Sequence, residues 1–218
     1  MIGFPGSPRL VKGGLVLIDP GTAAVQRVIP LQYNPDSLSR SLQIKATTAD
    51  SPDRSEVLRL KGPPVETIKL DAEIDATDQL EFPDQNQNAV EFGIFPQLAA
   101  LETIVYPTSS QLISNNALAS SGTLEIVPME TPLCLFVWSR NRVLPVRLTD
   151  FSITEEAFDP TLNPMRAKVS LSMRILTVDD LGFDHKGASL FMNYLQSKER
   201  LAAKSTGLLN TLGIGGIS

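Results

Sequence analysis

Ten consecutive residues late in the chain alternate without a break. Ala167, Val169, Leu171, Met173 and Ile175 are apolar, while Arg166, Lys168, Ser170, Ser172 and Arg174 are charged or hydroxylated. Strand side chains point alternately to the two faces of a sheet, so this period of two specifies a strand with one buried and one wet face. A helix cannot use the pattern, because its apolar stripe needs spacings of three and four. A second segment repeats it: Ile68, Leu70, Ala72 and Ile74 point one way, and Thr67, Lys69, Asp71, Glu73 and Asp75 the other. Any fold must give both strands a core on one side and water or a polar partner on the other.

Further strands fit around these two. Gly14 to Asp19 ends at the turn signal Pro20-Gly21, and Val25 to Tyr33 follows, so the pair reads as a hairpin. Pro30 places the second of these strands at an edge or a bulge. Leu38, Leu42, Ile44 and Ala46 alternate with polar residues, and Arg40 interrupts that apolar face, which marks an exposed end. Leu133 to Trp138 is a continuous apolar run, which suits a buried strand. Val143 to Leu148 and Phe151 to Phe158 read as two more strands, the first returning across Ser139 to Arg142.

Two segments change period. Ile94, Leu98, Leu101 and Val105 share one helical face within Phe92 to Tyr106, with Pro96 in the first turn and Pro107 at the end. Leu190, Phe191, Tyr194, Leu195 and Leu201 mark an amphipathic helix over Ala188 to Lys204. Thr47 to Pro64 reads as a long polar loop, and Thr108 to Thr123 as an aperiodic, mobile one. The organisation expected is an extension over 1–13, a β domain over 14–180 with an insertion at about 107–130, and a C-terminal helix and tail over 181–218.

Composition removes most chemistry. Cys134 is the single cysteine and His185 the single histidine, so no intrachain disulfide and no zinc cluster can form. Glu155-Glu156 and Asp179-Asp180 are adjacent carboxylates, which on a strand point to opposite faces rather than across a cleft. The glycines near residues 3–6 and 213–216 do not sit in a strand-to-helix turn, so no phosphate loop is expected. Cys134 and Trp138 lie in the apolar run and read as core or interface. Catalytic, cofactor and metal residues are therefore expected to be none. Nineteen Lys and Arg against 24 Asp and Glu give a net charge of −5, which argues against a nucleic-acid backbone as main partner. No run approaches the ~20 apolar residues that span a bilayer, and the start has no signal-peptide order.

Two patterns stand out. The wet face of one strand is largely acidic (Asp71, Glu73 and Asp75, with Lys69), and that of the other is basic (Arg166, Lys168 and Arg174). These faces either pair across strands, lie solvated and apart, or line a channel or subunit contact. Leu208, Leu209, Leu212, Ile214 and Ile217 lie among glycines, too few to form a core alone, and are candidates for docking on a partner.

Leu31-Gln32-Tyr33-Asn34-Pro35-Asp36-Ser37-Leu38, after the opening hairpin, resembles the strand-then-Asn-Pro motif of contractile injection system tube proteins, relatives of phage tail-tube and baseplate proteins. Phe151 to Pro160 followed by Asn163 to Val169 resembles that family's long hairpin near the end of the tube domain. The resemblance runs from about Gly14 to Val178 with the elements in order. It is to the baseplate tube-initiator type, whose tube-like domain can carry a peptidoglycan-binding LysM module, for which the residues after the last helix are too few. It implies a mainly β fold with flanking helices: a tail-tube-like β-barrel or sandwich, one helix between strand sets, and a C-terminal helix.

The implied function is structural. Six copies would form a ring at the baseplate end of an inner tube, join the spike or hub to the tube, and template tube growth. The partners implied are a homo-hexamer, the spike or hub protein, the inner tube protein and other baseplate subunits, with no cofactor, no nucleic acid and no membrane insertion. The protein would be made in the cytoplasm and built into a phage-tail-like particle. The alternatives are another baseplate, hub or tail-adaptor protein, or a particle-borne peptidoglycan hydrolase.

Overall fold

A computed structural model describes residues 10–46, 59–122, 131–205 and 207–214. Most of the Thr47 to Pro64 stretch, the first nine residues of the expected extension, residues 123–130 of the expected insertion, and Ile217 lie outside them. The strands are β1 (Gly14–Ile18), β2 (Val25–Pro30), β3 (Ser39–Gln43), β4 (Val65–Asp75), β5 (Leu133–Ser139), β6 (Arg142–Phe158) and β7 (Pro164–Ile175). Helices α1 (Thr77–Leu80), α2 (Gln87–Phe92), α3 (Phe95–Glu102) and α4 (Ser109–Ser120) lie between β4 and β5, and α5 (Val178–Leu181) and α6 (Lys186–Ala202) follow β7.

Among the described residues the strands form one antiparallel sheet in the order β2-β1-β5-β6-β7-β4-β3. The opening hairpin is β1 paired with β2, and Pro30 ends an edge strand, where its missing N–H costs no ladder bond. Alternating residues of the strands, with Ile94, Leu98 and Leu101 of α3 and Phe191 and Tyr194 of α6, bury together in one large cluster. A smaller cluster holds Ile18, Leu133 and Leu135, with Leu181 and Leu190 against it.

The fold is mainly β with helices between and after the strand sets, as expected, and its sheet stays open rather than closing into a barrel. β2 and β3 are its two edges. They are joined by residues 31–38, which reach no more than ~30 Å extended, about the width of seven flat strands at ~4.8 Å spacing. Leu31, in this connection, packs into the same cluster as Ala72 and Ile74. Among the described residues β2 and β3 make no ladder with each other, and β3 pairs only with Val65 to Lys69 of β4. Beyond that, the segment holding Asn34 and Pro35 runs past β4 without a ladder, and the contact at its start is made by a side chain, as described below.

Four helices rather than one lie between β4 and β5, and three elements differ in form from the sequence expectation. β6 is one strand of 17 residues rather than two, with a register shift between Leu148 and Asp150 that lets the chain absorb one extra residue. Ser109 to Ser120 is a helix rather than an aperiodic loop. It has no buried residue, and a reciprocal cap holds its start: the Thr108 hydroxyl accepts from the Gln111 N–H, and the Gln111 carboxamide accepts from the Thr108 N–H. β3 does not bury the apolar face its alternation suggests, since Leu42 is 50% exposed and Ile44 72%. As the sheet edge it lacks a neighbour to cover them.

Candidate functional site

The acidic and basic wet faces come together. β4 and β7 are neighbours, and their register sets Asp75 opposite Arg166, Glu73 opposite Lys168, Asp71 opposite Ser170, Lys69 opposite Ser172 and Thr67 opposite Arg174. Arg166 Nε donates to Asp75 Oδ2 at 2.7 Å, and Ser170 Oγ to Asp71 Oδ1 at 2.5 Å. Lys168 Nζ lies 3.3 Å from Glu156 Oε1 on the other neighbour, β6. Arg174 stands opposite Arg147 on β6, and its guanidinium is held by Asp180 at 2.5 Å. Exposed pairs of this kind contribute ~1 kcal/mol or less each. Their main effect is a polar face across three strands in which opposite charges stand side by side, exposed around Asp71, Glu73, Arg166 and Lys168 and buried at Ser172.

Several carboxyls here titrate low. Burial pushes Asp75 upward, but the Thr77 hydroxyl and N–H and the Arg166 guanidinium outweigh it and leave it below its ordinary value. Asp180 follows the same logic, with burial opposed by the Thr177 N–H and hydroxyl and by Arg174. The hydrogen bond to Asp78, with burial second, raises the Tyr33 hydroxyl.

A second assembly of charges lies on the core side, where the sequence alternation does not announce it. Glu66 is 4% exposed and accepts from Arg40 of β3 and Lys198 of α6, with Arg40 Nε at 2.8 Å and Lys198 Nζ at 3.0 Å. Tyr194 Oη lies 3.1 Å from an Arg40 nitrogen, and Lys198 Nζ sits 4.2 Å from the Tyr194 ring centroid. The Arg40 end is therefore tied down by an ion pair rather than free. The signal was present: Arg40 shares the parity of Leu38 and Leu42, and Glu66 that of Ile68 and Leu70. Two opposite charges on inward positions of neighbouring strands are each other's partners.

The Leu31 to Leu38 motif has a physical role. Gln32 Oε1 accepts from the Asp75 N–H at 2.9 Å, and Gln32 Nε2 donates to the Asp75 carbonyl at 2.6 Å. Asn34 does the same before β1: its Oδ1 accepts from the Gly13 N–H at 2.8 Å, and its Nδ2 donates to the Val11 carbonyl at 2.9 Å. Two carboxamides one residue apart thus stitch the connection to the end of β4 and to the entry of β1.

The residues that could carry chemistry are engaged structurally. Cys134 is buried, and burial pushes its thiol up to about 12. His185 caps α6, its Nδ1 accepting from the Gly187 N–H at 3.0 Å. Asp179 pairs with Lys45 at 3.0 Å. Among the described residues no group of three or more His, Cys, Asp or Glu is placed to hold a metal ion. None of the described helices is long and apolar enough to cross a membrane. Leu208, Leu209, Leu212 and Ile214 are 70%, 41%, 74% and 41% exposed, around a short 3₁₀ turn over Leu209–Leu212.

The described residues thus form an open antiparallel sheet with a charged outer face and an exposed aliphatic tail. The chain belongs to the contractile injection system tube protein family, whose family model matches residues 19–181. Among solved structures it is similar to a chain of the tail of an empty gene transfer agent particle refined with C6 symmetry. Identity is 10% and TM-score 0.30, with 75% of this chain and 90% of that one covered. It is also similar to a chain of the virion of the native gene transfer agent particle, with 10% identity, TM-score 0.29 and the same coverages of 75% and 90%. No curated protein matches the chain.

Proposed function

We propose that this tube-family protein forms a six-membered ring at the baseplate end of an inner tube, where it joins the spike or hub to the tube and templates tube growth. The observation that carries the reading is the open sheet. Among the described residues β2 and β3 each leave one side of the ladder unpaired, and they lie at opposite ends of the strand order. Exposed edges invite pairing with another chain. When the edge of one copy meets the other edge of the next, the contact is head-to-tail and closes into a ring if the rotation allows.

In this reading the hydrated face bearing Lys69, Asp71, Glu73, Asp75, Arg166, Lys168 and Arg174 lines the lumen or a contact between subunits. Arg166, Lys168 and Arg174 are paired with carboxylates of their own copy, and Lys69, Asp71 and Glu73 are exposed to water. Electron microscopy of the purified protein, alone and co-expressed with the products of neighbouring genes, tests the proposal. Six-fold rings support it; a stable monomer that joins no partner overturns it.

A further inference from the structure

An apolar groove of about 350 Å³ opens beside β2, between that edge strand, the end of β4 and α3. Its lining includes Ile29, Leu31, Ala72, Ile74, Ala100 and Leu101. Gln97 also lines it, and the Gln97 Oε1 is buried with no hydrogen-bond partner.

We propose that residues 207–214 of a second copy dock in this groove. The tail matches it in chemistry. Residues 205–218 contain no Asp, Glu, Lys or Arg, in a chain that is 20% charged. The described tail presents Leu208, Leu209, Leu212 and Ile214 to solvent. The tail does not occupy the groove of its own copy, because residues 207–214 are all exposed. It also starts elsewhere: Lys198 of α6 is fixed at Glu66, eight residues along β4 from Ile74, or about 26 Å. The proposal rests on the ring reading, because a tail and a groove on different surfaces make the head-to-tail contact that closes a ring.

The test places a photoreactive phenylalanine analogue at position 212 of the full-length protein. Equal amounts of ordinary and heavy-isotope protein are mixed, irradiated and mapped by mass spectrometry. The expected result is mixed-isotope crosslinks from position 212 to the segments 28–31 and 96–101. Val28→Asp, at an exposed rim position, and Ala100→Trp, which fills the groove, should each reduce them at least tenfold, and Val28→Asp checks the result should Ala100→Trp disturb the fold. Crosslinks confined to one isotope, crosslinks elsewhere, or crosslinks captured only by another tail component overturn the proposal. Rings without the groove crosslink would sink the tail contact and leave the ring reading intact. Groove crosslinks in dimers or open chains, without rings, would sink the ring reading and leave the tail contact.

Discussion

The carboxamide of Gln32 binds Asp75 as a neighbouring strand would, accepting from its N–H and donating to its carbonyl. Where β3 has run out, one side chain supplies the two bonds that a residue in a ladder makes to its partner. Gln32→Ala should therefore cost about 2 kcal/mol, the sum of two such bonds. Urea unfolding should show a lower midpoint with an unchanged slope. Gln32→Glu should be no better than alanine at pH 7, since a carboxylate cannot donate to the Asp75 carbonyl.

The charges around Glu66 are unequal in their burial, and that sets the order of the mutational costs. Glu66 is 5% exposed at its side chain, whereas Arg40 is 27% and Lys198 37% exposed. Arg40→Ala strands a buried carboxylate with one cation and should cost about 3 kcal/mol. Glu66→Leu leaves two long cations that can swing into water, and should cost less than half as much. Chemical unfolding of both variants checks the order, and equal costs would refute it.

Gly93 has φ +58° after α2, and a Cβ there would run into the Pro164 carbonyl. That carbonyl already accepts from the Ile94 N–H at 2.9 Å, so it cannot move aside freely. Gly93→Ala should cost at least about 2 kcal/mol, from backbone strain and the lost contact together. Thermal unfolding measures it, and a change within 0.5 kcal/mol, on the order of an ordinary surface substitution, would contradict the account.

Acid should destabilise the fold through Asp180. Its carboxyl sits below the ordinary value of 3.8 in the folded chain. A carboxyl lowered by folding contributes stability that is full above its unfolded value and is lost as the pH falls through its folded value. The loss therefore begins near pH 4 and is complete only below the folded value. Asp180→Asn should lower the melting temperature at pH 7 and flatten its fall between pH 4 and 2. A variant with the same acid slope as the parent would show that Asp180 is not a source of it.

Much of the fold was legible where a single period governs a segment. Ala167 to Ile175 and Ile68 to Ile74 became β7 and β4 because each apolar residue of the alternation found the core. The spacing of Ile94, Leu98 and Leu101 placed α3 for the same reason. α4 was not legible, because Thr108 and Gln111 define it through a cap and no apolar stripe accompanies them. β6 was read as two strands because the extra residue near Thr149 breaks the parity between Leu148 and Phe151. The openness of the sheet depends on whether β2 and β3 meet across the whole strand order, and local pattern does not encode that long-range pairing. The opposite signs of the two wet faces mark strands that are neighbours in one sheet, which was one of the alternatives the pattern left open. The Glu66 cluster went unseen because an inward charge looks like an interruption until its partner strand is known.

β6 also has a mechanical consequence. Its 17 residues, ~56 Å at strand rise, run unbroken from the β5 turn to the hairpin tip and pair with β5 at one end and β7 along most of the rest. Antiparallel ladder bonds lie across the strand direction. A pull along β6 must shear its bonds to both neighbours together, whereas a pull that peels β2 or β3 from an edge opens them one after another. The molecule is stiff along its longest strand and yields first at its rims.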